Sequence, residues 1–169
     1  MDTGIFETER LRFRQLVESD YADVAEILQN ERGMRYVRGF GYSDAEVKSW
    51  IRKQMERYRR DGFGKWALLE KKTGTFIGVC GISMQEVSGQ KVPEIGYFIK
   101  EAYWNRGYAT EAAERCREYA FRVLGFSEVF SLIGEGNAAS RRVAEKLGME
   151  YRQKVNGRLL ALELFSVTA

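Results

Sequence analysis

The stretch that most constrains this chain is Tyr97 to Ala113, Tyr-Phe-Ile-Lys-Glu-Ala-Tyr-Trp-Asn-Arg-Gly-Tyr-Ala-Thr-Glu-Ala-Ala. A strand from about Val92 to Ile99 ends there, a short turn follows, and a helix runs from Gly107 to Leu124, stopped by Gly125. The helix leads to another apolar run, Val129 to Ile133, an arrangement that suits a parallel crossover. Backbone N–H groups in the first turn of a helix lack internal partners and lie at the positive end of its dipole, where a diphosphate binds well. Gly107 removes the side chain that would hold a phosphate off, Ala109 is small, Arg106 adds charge, and Thr110 offers a hydroxyl. Asn105 to Thr110 therefore reads as a pyrophosphate loop. The P-loop pattern is absent, and no G-x-G-x-x-G opens a helix in this region. Gly134-Glu135-Gly136-Asn137 has two spaced glycines but no third, and reads as a turn into a cap at Asn137.

Around this stretch the periodicity alternates between strand and helix. Thr8 to Leu16 reads as a half-buried strand with Leu11 and Phe13 inward and Arg10, Arg12 and Arg14 outward. Ser19 and Asp20 can cap a helix with the stripe Tyr21, Val24, Ala25 and Leu28. Ser43 with Glu46 makes a capping box before Val47, Trp50, Ile51, Met55 and Tyr58. Between these helices, Gly33 to Tyr42 is either a substrate-site wall or a plain connection. Lys65 to Glu70 and Thr75 to Ile82 form a hairpin about Lys71 to Gly74. The Gly107 helix turns Ala109, Ala112, Ala113, Cys116, Ala120 and Val123 inward. Asn137 caps a helix carrying Val143, Ala144 and Leu147, ended by Gly148. Met149 to Lys154 and Arg158 to Val167 make a last hairpin, with a type I′ turn expected at Asn156-Gly157. The order β-α-α-β-β-β-α-β-α-β-β, without repeat or linker, predicts one mixed α/β (α+β) domain over residues 1–169.

Composition narrows the chemistry. The chain has no histidine, which removes Ser-His-Asp and Cys-His nucleophiles and the usual zinc and iron sites, so no metal is expected. Carboxylates, hydroxyls, amines, backbone donors and water remain. Its two cysteines, Cys80 and Cys116, lie in apolar segments without close spacing and suggest a reduced, cytoplasmic protein. Met1 to Phe13 lacks a leader pattern, and no apolar run is long enough to span a membrane. A net charge of +3 does not by itself imply nucleic acid. The run Arg52, Lys53, Arg57, Arg59 and Arg60 is either a patch for an acidic partner or the wet face of a helix, and no nucleic-acid partner is expected.

With these motifs placed, the chain resembles the GNAT superfamily of N-acetyltransferases, and within it the branch of the RimJ and RimL ribosomal-protein N-terminal acetyltransferases. The resemblance covers nearly the whole chain from Thr8-Glu9-Arg10-Leu11. Trp104 to Ala109 aligns with the acetyl-CoA signature [RQ]-x-x-G-x-[GA], with Asn105 where the branch commonly has glycine. Asn137-x-x-Ser140 through Glu145-Lys146-Leu147-Gly148-Met149 matches the following helix. The resemblance implies a mostly antiparallel sheet of six to seven strands flanked by helices, splayed at the cofactor site. It implies that main-chain groups of Phe98 and Ile99 bind pantetheine, that Trp104, Asn105, Arg106, Gly107, Tyr108, Ala109 and Thr110 hold the pyrophosphate region, and that Asn137 and Ser140 contact the cofactor arm or substrate. Asn137 as a pure helix cap is compatible with that role.

The implied reaction is direct transfer of acetyl from acetyl-CoA to a primary amine, on a protein N-terminus or a small molecule. An acidic residue at Glu94 would be the base, often through water in relatives; the alternative is an ordinary strand-end glutamate. Glu163 is a second candidate. Backbone N–H groups near Ile99 would polarise the carbonyl. The tyrosine many relatives place seven residues after the asparagine is Ala144 here, so Ser140 or water would protonate the thiolate. Cys116, on the buried face, is a poor acyl carrier. Many relatives dimerise. A non-catalytic acyl-CoA-binding module with the same fold is the competing reading, and the acceptor, set by loops such as Gly33 to Tyr42 and Met84 to Lys91, is left open.

Overall fold

A computed structural model describes residues 4–169; residues 1–3, part of the segment read for a leader, lie outside it. The strands are β1 (Gly4–Glu7), β2 (Leu11–Arg14), β3 (Lys65–Glu70), β4 (Phe76–Val87), β5 (Gln90–Ile99), β6 (Glu128–Gly134), β7 (Glu150–Asn156) and β8 (Ala161–Thr168). The helices are α1 (Tyr21–Leu28), α2 (Glu31–Met34), α3 (Asp44–Asp61), α4 (Tyr108–Arg122) and α5 (Ala138–Lys146). All eight strands join one sheet in the order β1-β2-β3-β4-β5-β6-β8-β7. Among the described residues only β5 and β6 run parallel, and α4 is their crossover. The mixed, mostly antiparallel sheet is as expected, but with eight strands rather than six to seven. The additional strand is β1, which pairs with β2 through a short turn at Thr8 to Arg10.

Each sheet face carries its own core. On one, Phe13, Trp66, Leu68 and Ile95 pack under Ala112, Ala113, Cys116 and Ala120 of α4, all at most 2% exposed. These small side chains bring α4 close enough to the strands for its first turn to reach the end of β5. Val123, expected inward, lies past the helix end and is 64% exposed. On the other face Val24 and Leu28 of α1 and Val47 and Ile51 of α3 cover Ala67, Phe76 and Val79. Each buried Val, Leu, Ile or Phe among them contributes about 1.5–3 kcal/mol, so both layers are firmly seated.

Several local readings need correction. Asp20 does not cap α1; its carboxylate takes Arg14 at 2.8 Å and the Val17 N–H at 2.9 Å. The Ser43–Glu46 capping box forms as read. Met84 to Lys91 is not a loop but the tip of the long β4–β5 hairpin, turning at Ser88 and Gly89 with φ of 50° and 77°. The last hairpin does not make a two-residue turn at Asn156-Gly157, because Asn156 pairs with Ala161 across a four-residue loop. The basic run lies on α3, where Arg52 pairs with Glu18, Arg57 bonds Gln54 and Arg60 pairs with Asp61.

Candidate active site

The sheet opens between β5 and β6, which pair at one position only, Glu94 with Phe130. Continuing the parallel ladder would bond Leu132 N–H to Ile95 C=O. Side chains take both groups instead. Leu132 N–H donates to Glu94 Oε2 at 3.2 Å, and the Ser131 hydroxyl donates to Ile95 C=O at 3.0 Å. A wedge of one carboxylate and one hydroxyl thus keeps the strands apart without leaving a buried main-chain group unbonded.

Beyond the wedge lies a cleft of about 640 Å³. One wall is β5 with the turn after it and the first residues of α4; the other is α5; residues 27–37 cross the mouth. Phe98, Ile99, Trp104 to Thr110, Asn137 and Ser140 all line it, so the expected cofactor residues converge. Glu94 and Glu163 do not. Glu94 lies at the wedge, and Glu163 pairs with Ile133 and Lys154 across β8.

The ladder also fixes which way the main chain of β5 faces. Lys100 N–H bonds Ile77 C=O at 2.8 Å, so even-numbered residues turn their main-chain groups to β4 and odd ones to β6. The main-chain groups of Phe98 therefore face β4 rather than β6. Ile99 faces the cleft, but its carbonyl is taken by the Trp104 indole N–H at 2.7 Å. Between the capped carbonyls of Ile95 and Ile99, the groups facing the cleft are Tyr97 N–H, Tyr97 C=O and Ile99 N–H. This edge accepts an extended, amide-bearing arm as an added strand.

At the mouth, Gly107 adopts φ +81° and Asn105 φ +59°. The left-handed region is open to glycine and tolerated by asparagine, which accounts for Asn105 standing where the related motif has glycine. The first α4 N–H to find a helical acceptor is that of Glu111, on Gly107 C=O at 3.1 Å. The N–H groups of Tyr108, Ala109 and Thr110 precede it, and Gly107 supplies no capping side chain. An anion can take that place.

This helix start is braced by residues from the first turn of the chain. Glu111 accepts from Thr8 Oγ1 at 2.6 Å, Arg10 N–H at 2.9 Å and Arg10 Nε at 2.7 Å. Arg10 also donates to Arg106 C=O at 2.9 Å and lies 4.2 Å over the Tyr108 ring. Burial pushes the Glu111 carboxyl up, but the bonds from Thr8 and Arg10 together hold it below its ordinary value. Tyr108 turns its hydroxyl onto Glu70 at 2.6 Å. The alternation of the first strand placed Arg10 on a wet face, and nothing local marks it as a brace.

On the opposite wall Asn137 caps α5 by accepting from Ser140 N–H at 3.2 Å, while its amide donates to Ser140 Oγ at 3.1 Å. That leaves the Ser140 hydroxyl proton free to point elsewhere. Tyr97 donates to Ser140 C=O at 3.4 Å, and burial pushes its phenol up to about 12. Over the mouth Arg32 pairs with Glu101, which also accepts from Asn30. The Tyr36 carbonyl rests on Gly134 so closely that a Cβ there would come within 2.1 Å. Cys116 is fully buried with its sulfur 3.6 Å from that of Cys80; burial and that neighbour push its thiol well up. Sequence spacing gave no hint of this thiol pair.

A sheet parted at one parallel pair, with an uncapped helix N-terminus at the mouth of the gap, can take an extended amide-bearing arm and an anionic group in one cleft. Residues 10–150 match the acetyltransferase (GNAT) domain, and the chain belongs to that family; it is an acetyltransferase, and the family uses acetyl-CoA. It is 36% identical to YkkB of Bacillus subtilis over 149 residues, 88% of this chain and 86% of that one. The N-acetyltransferase YoaA of the same organism is 27% identical over 150 residues, covering 86% and 82%. In fold it resembles an acetyltransferase from Agrobacterium tumefaciens, with a TM-score of 0.84 at 24% identity over 97% and 94% of the two chains. It also resembles RimL, the ribosomal L7/L12 alpha-N-protein acetyltransferase, in complex with coenzyme A, with a TM-score of 0.77 at 16% identity over 98% and 97%.

Proposed function

We propose that this protein transfers acetyl from acetyl-CoA to a primary amine, on a protein N-terminus or a small molecule, in a single ternary complex. The carrying observation is that a short strip of free ladder edge on β5 and an uncapped α4 N-terminus lie in one cleft. Pantetheine would lie along Tyr97 and Ile99, and its pyrophosphate at residues 105–110 beside Arg106. Asn137 and Ser140 would flank the cofactor arm. Tyr97 N–H is the innermost cleft-facing donor of the strip and would polarise the thioester carbonyl.

Glu94 would act as the base through water, since it stands at the wedge rather than in the cleft wall. Burial pushes its carboxyl above the ordinary range, while Lys65 and the Leu132 N–H oppose the rise. Such a carboxylate accepts a proton more readily than an exposed one. Ser140 would donate to the departing thiolate. The RimL likeness favours a protein N-terminal α-amine as acceptor, and two adjacent unlinked thiols fit a reduced compartment such as the cytoplasm.

Thiol release from acetyl-CoA, measured against a panel of N-terminal peptides and small amines, tests the reading; one acceptor should give a product one acetyl group heavier. Ser140→Ala should lower kcat with little change in KM for acetyl-CoA, and an unchanged kcat would remove Ser140 as donor. CoA binding without turnover on any amine would favour the acyl-CoA-binding module, a reading that Ala144 in place of a phenol keeps open.

A further inference from the structure

The strands behind the wedge bury a lysine. Lys65, at the start of β3, is 6% exposed, and its ammonium bonds the Ser83 hydroxyl at 3.4 Å. Its side chain crosses Gly96 of β5, where a Cβ would lie 2.9 Å from Lys65 Cε, 3.2 Å from Lys65 Nζ and 3.6 Å from Glu94 Oε1. Gly96 therefore leaves the space that lets the ammonium and the Glu94 carboxylate flank one point. No carboxylate lies within 4.0 Å of Lys65 among the described residues, so the lysine is buried without a close ion pair. Burying a lone ammonium is costly and lowers its pKa, and for Lys65 the charge of Glu94 opposes that fall.

The surroundings of Glu94 come from four elements. β3 supplies Lys65, and β4 supplies Ser83, the strand partner of Glu94, together with Gln85, which donates to Ser83 and helps lower the Glu94 value. α3 supplies Arg57, held by Gln54, and β6 supplies the Leu132 N–H. Lys65 and Arg57 are the two cations among these. Arg57 is tied to Gln54 on its own helix, whereas the ammonium of Lys65 stands over Gly96.

We propose that Lys65 is a positioning residue that sets the protonation of Glu94, keeping the carboxylate ionised at the wedge so that it can take the proton of the attacking amine. During transfer the amine nitrogen bonds the acetyl carbon, the C–S bond breaks and the electron pair leaves on sulfur. The proton released by the acylated amine nitrogen passes through water to Glu94 Oε1, and Lys65 keeps its own proton throughout. Burial raises the Glu94 carboxyl and lowers the Lys65 ammonium, and each opposes the other's shift. Removing the cation should raise the Glu94 value further, so activity that needs the carboxylate should appear only at higher pH.

The proposal rests on Glu94 as base for its catalytic consequence, but not for its titration. The test follows the carboxyl of Glu94 by carbon-13 NMR in the full-length protein, alongside kcat/KM against pH. In Lys65→Met, Glu94 should titrate about one pH unit higher than in the parent, and the acidic limb of activity should move with it. Lys65→Arg, which keeps a cation, should stay near the parent. Gly96→Ala displaces the ammonium without deleting it and should shift both readouts the same way by less, which covers the case in which Lys65→Met does not fold. A Glu94 titration that does not move in Lys65→Met, or in Gly96→Ala where that alone folds, overturns the proposal. A titration that moves while the activity limb stays put supports Lys65 as the setting group and removes Glu94 as the base.

Discussion

Asn105 holds a backbone conformation that most side chains avoid, at φ +59° beside Gly107 at +81°. A β-branched residue there would cost about 1–2 kcal/mol, whereas glycine would relieve strain. We expect Asn105→Gly to keep its affinity for acetyl-CoA and Asn105→Val to raise KM for it several-fold, read by initial rates. Glu111 is a second residue whose weight comes from geometry. Its folded value is depressed, so its contribution to stability is complete above the unfolded carboxylate value of about 4.3 and fades as pH falls through the folded value. Urea unfolding should find Glu111→Gln less stable than the parent by about 1 kcal/mol at pH 7, with the gap closing on acidification. A gap independent of pH would mean that the charge of Glu111 does not matter. The turn from Asn105 to Thr110 was legible because its residues are consecutive. The brace was not, because Arg10 and Glu111 stand 101 positions apart and an alternating strand gives each arginine the same appearance.

At the level of elements, strands and helices with strong periodicity emerged where the pattern put them, β3 with both ends at Lys65 and Glu70. Failures fell where polar residues sit in strands. The tip of the β4–β5 hairpin read as a loop because Gln85, Glu86, Ser88, Gln90 and Lys91 are polar, yet Val87 and Val92 are buried under Leu164 and hold the strands together. The wedge was equally hidden, since it needs Glu94 and Ser131 from different strands. Removing the Ser131 hydroxyl leaves Ile95 C=O uncapped and free to bond Leu132 N–H, so β5 and β6 gain a route to close. Ser131→Ala should therefore weaken coenzyme A binding in calorimetry while its melting temperature stays within a few degrees of the parent. A large loss of stability with unchanged affinity would count against the wedge.

Across the whole molecule, the two cores hold α4 and α1–α3 on opposite faces of the sheet while the cleft divides one half of the sheet from the other. A ligand that joins β5 to α5 across that gap should stabilise the fold as a unit. Coenzyme A at a hundred times its dissociation constant should add about 2.7 kcal/mol, visible as a rise in melting temperature. Gly107→Val, strained at φ +81° and bearing a side chain at the phosphate position, should abolish most of that rise. The absence of histidine, a property of the entire sequence, leaves carboxylates, hydroxyls, amines, backbone donors and water for any proton transfer.

The contact of the Tyr36 carbonyl with Gly134 bears on how such a protein can be re-engineered. Because the crossing segment is pinned there by its main chain, Tyr36 is a fixed post rather than part of an adjustable wall. Libraries aimed at new acceptors should vary Arg35 and Val37, the cleft-lining residues on either side of the post. Gly134 must stay untouched, since even alanine would displace the segment as a whole and with it one edge of the cleft.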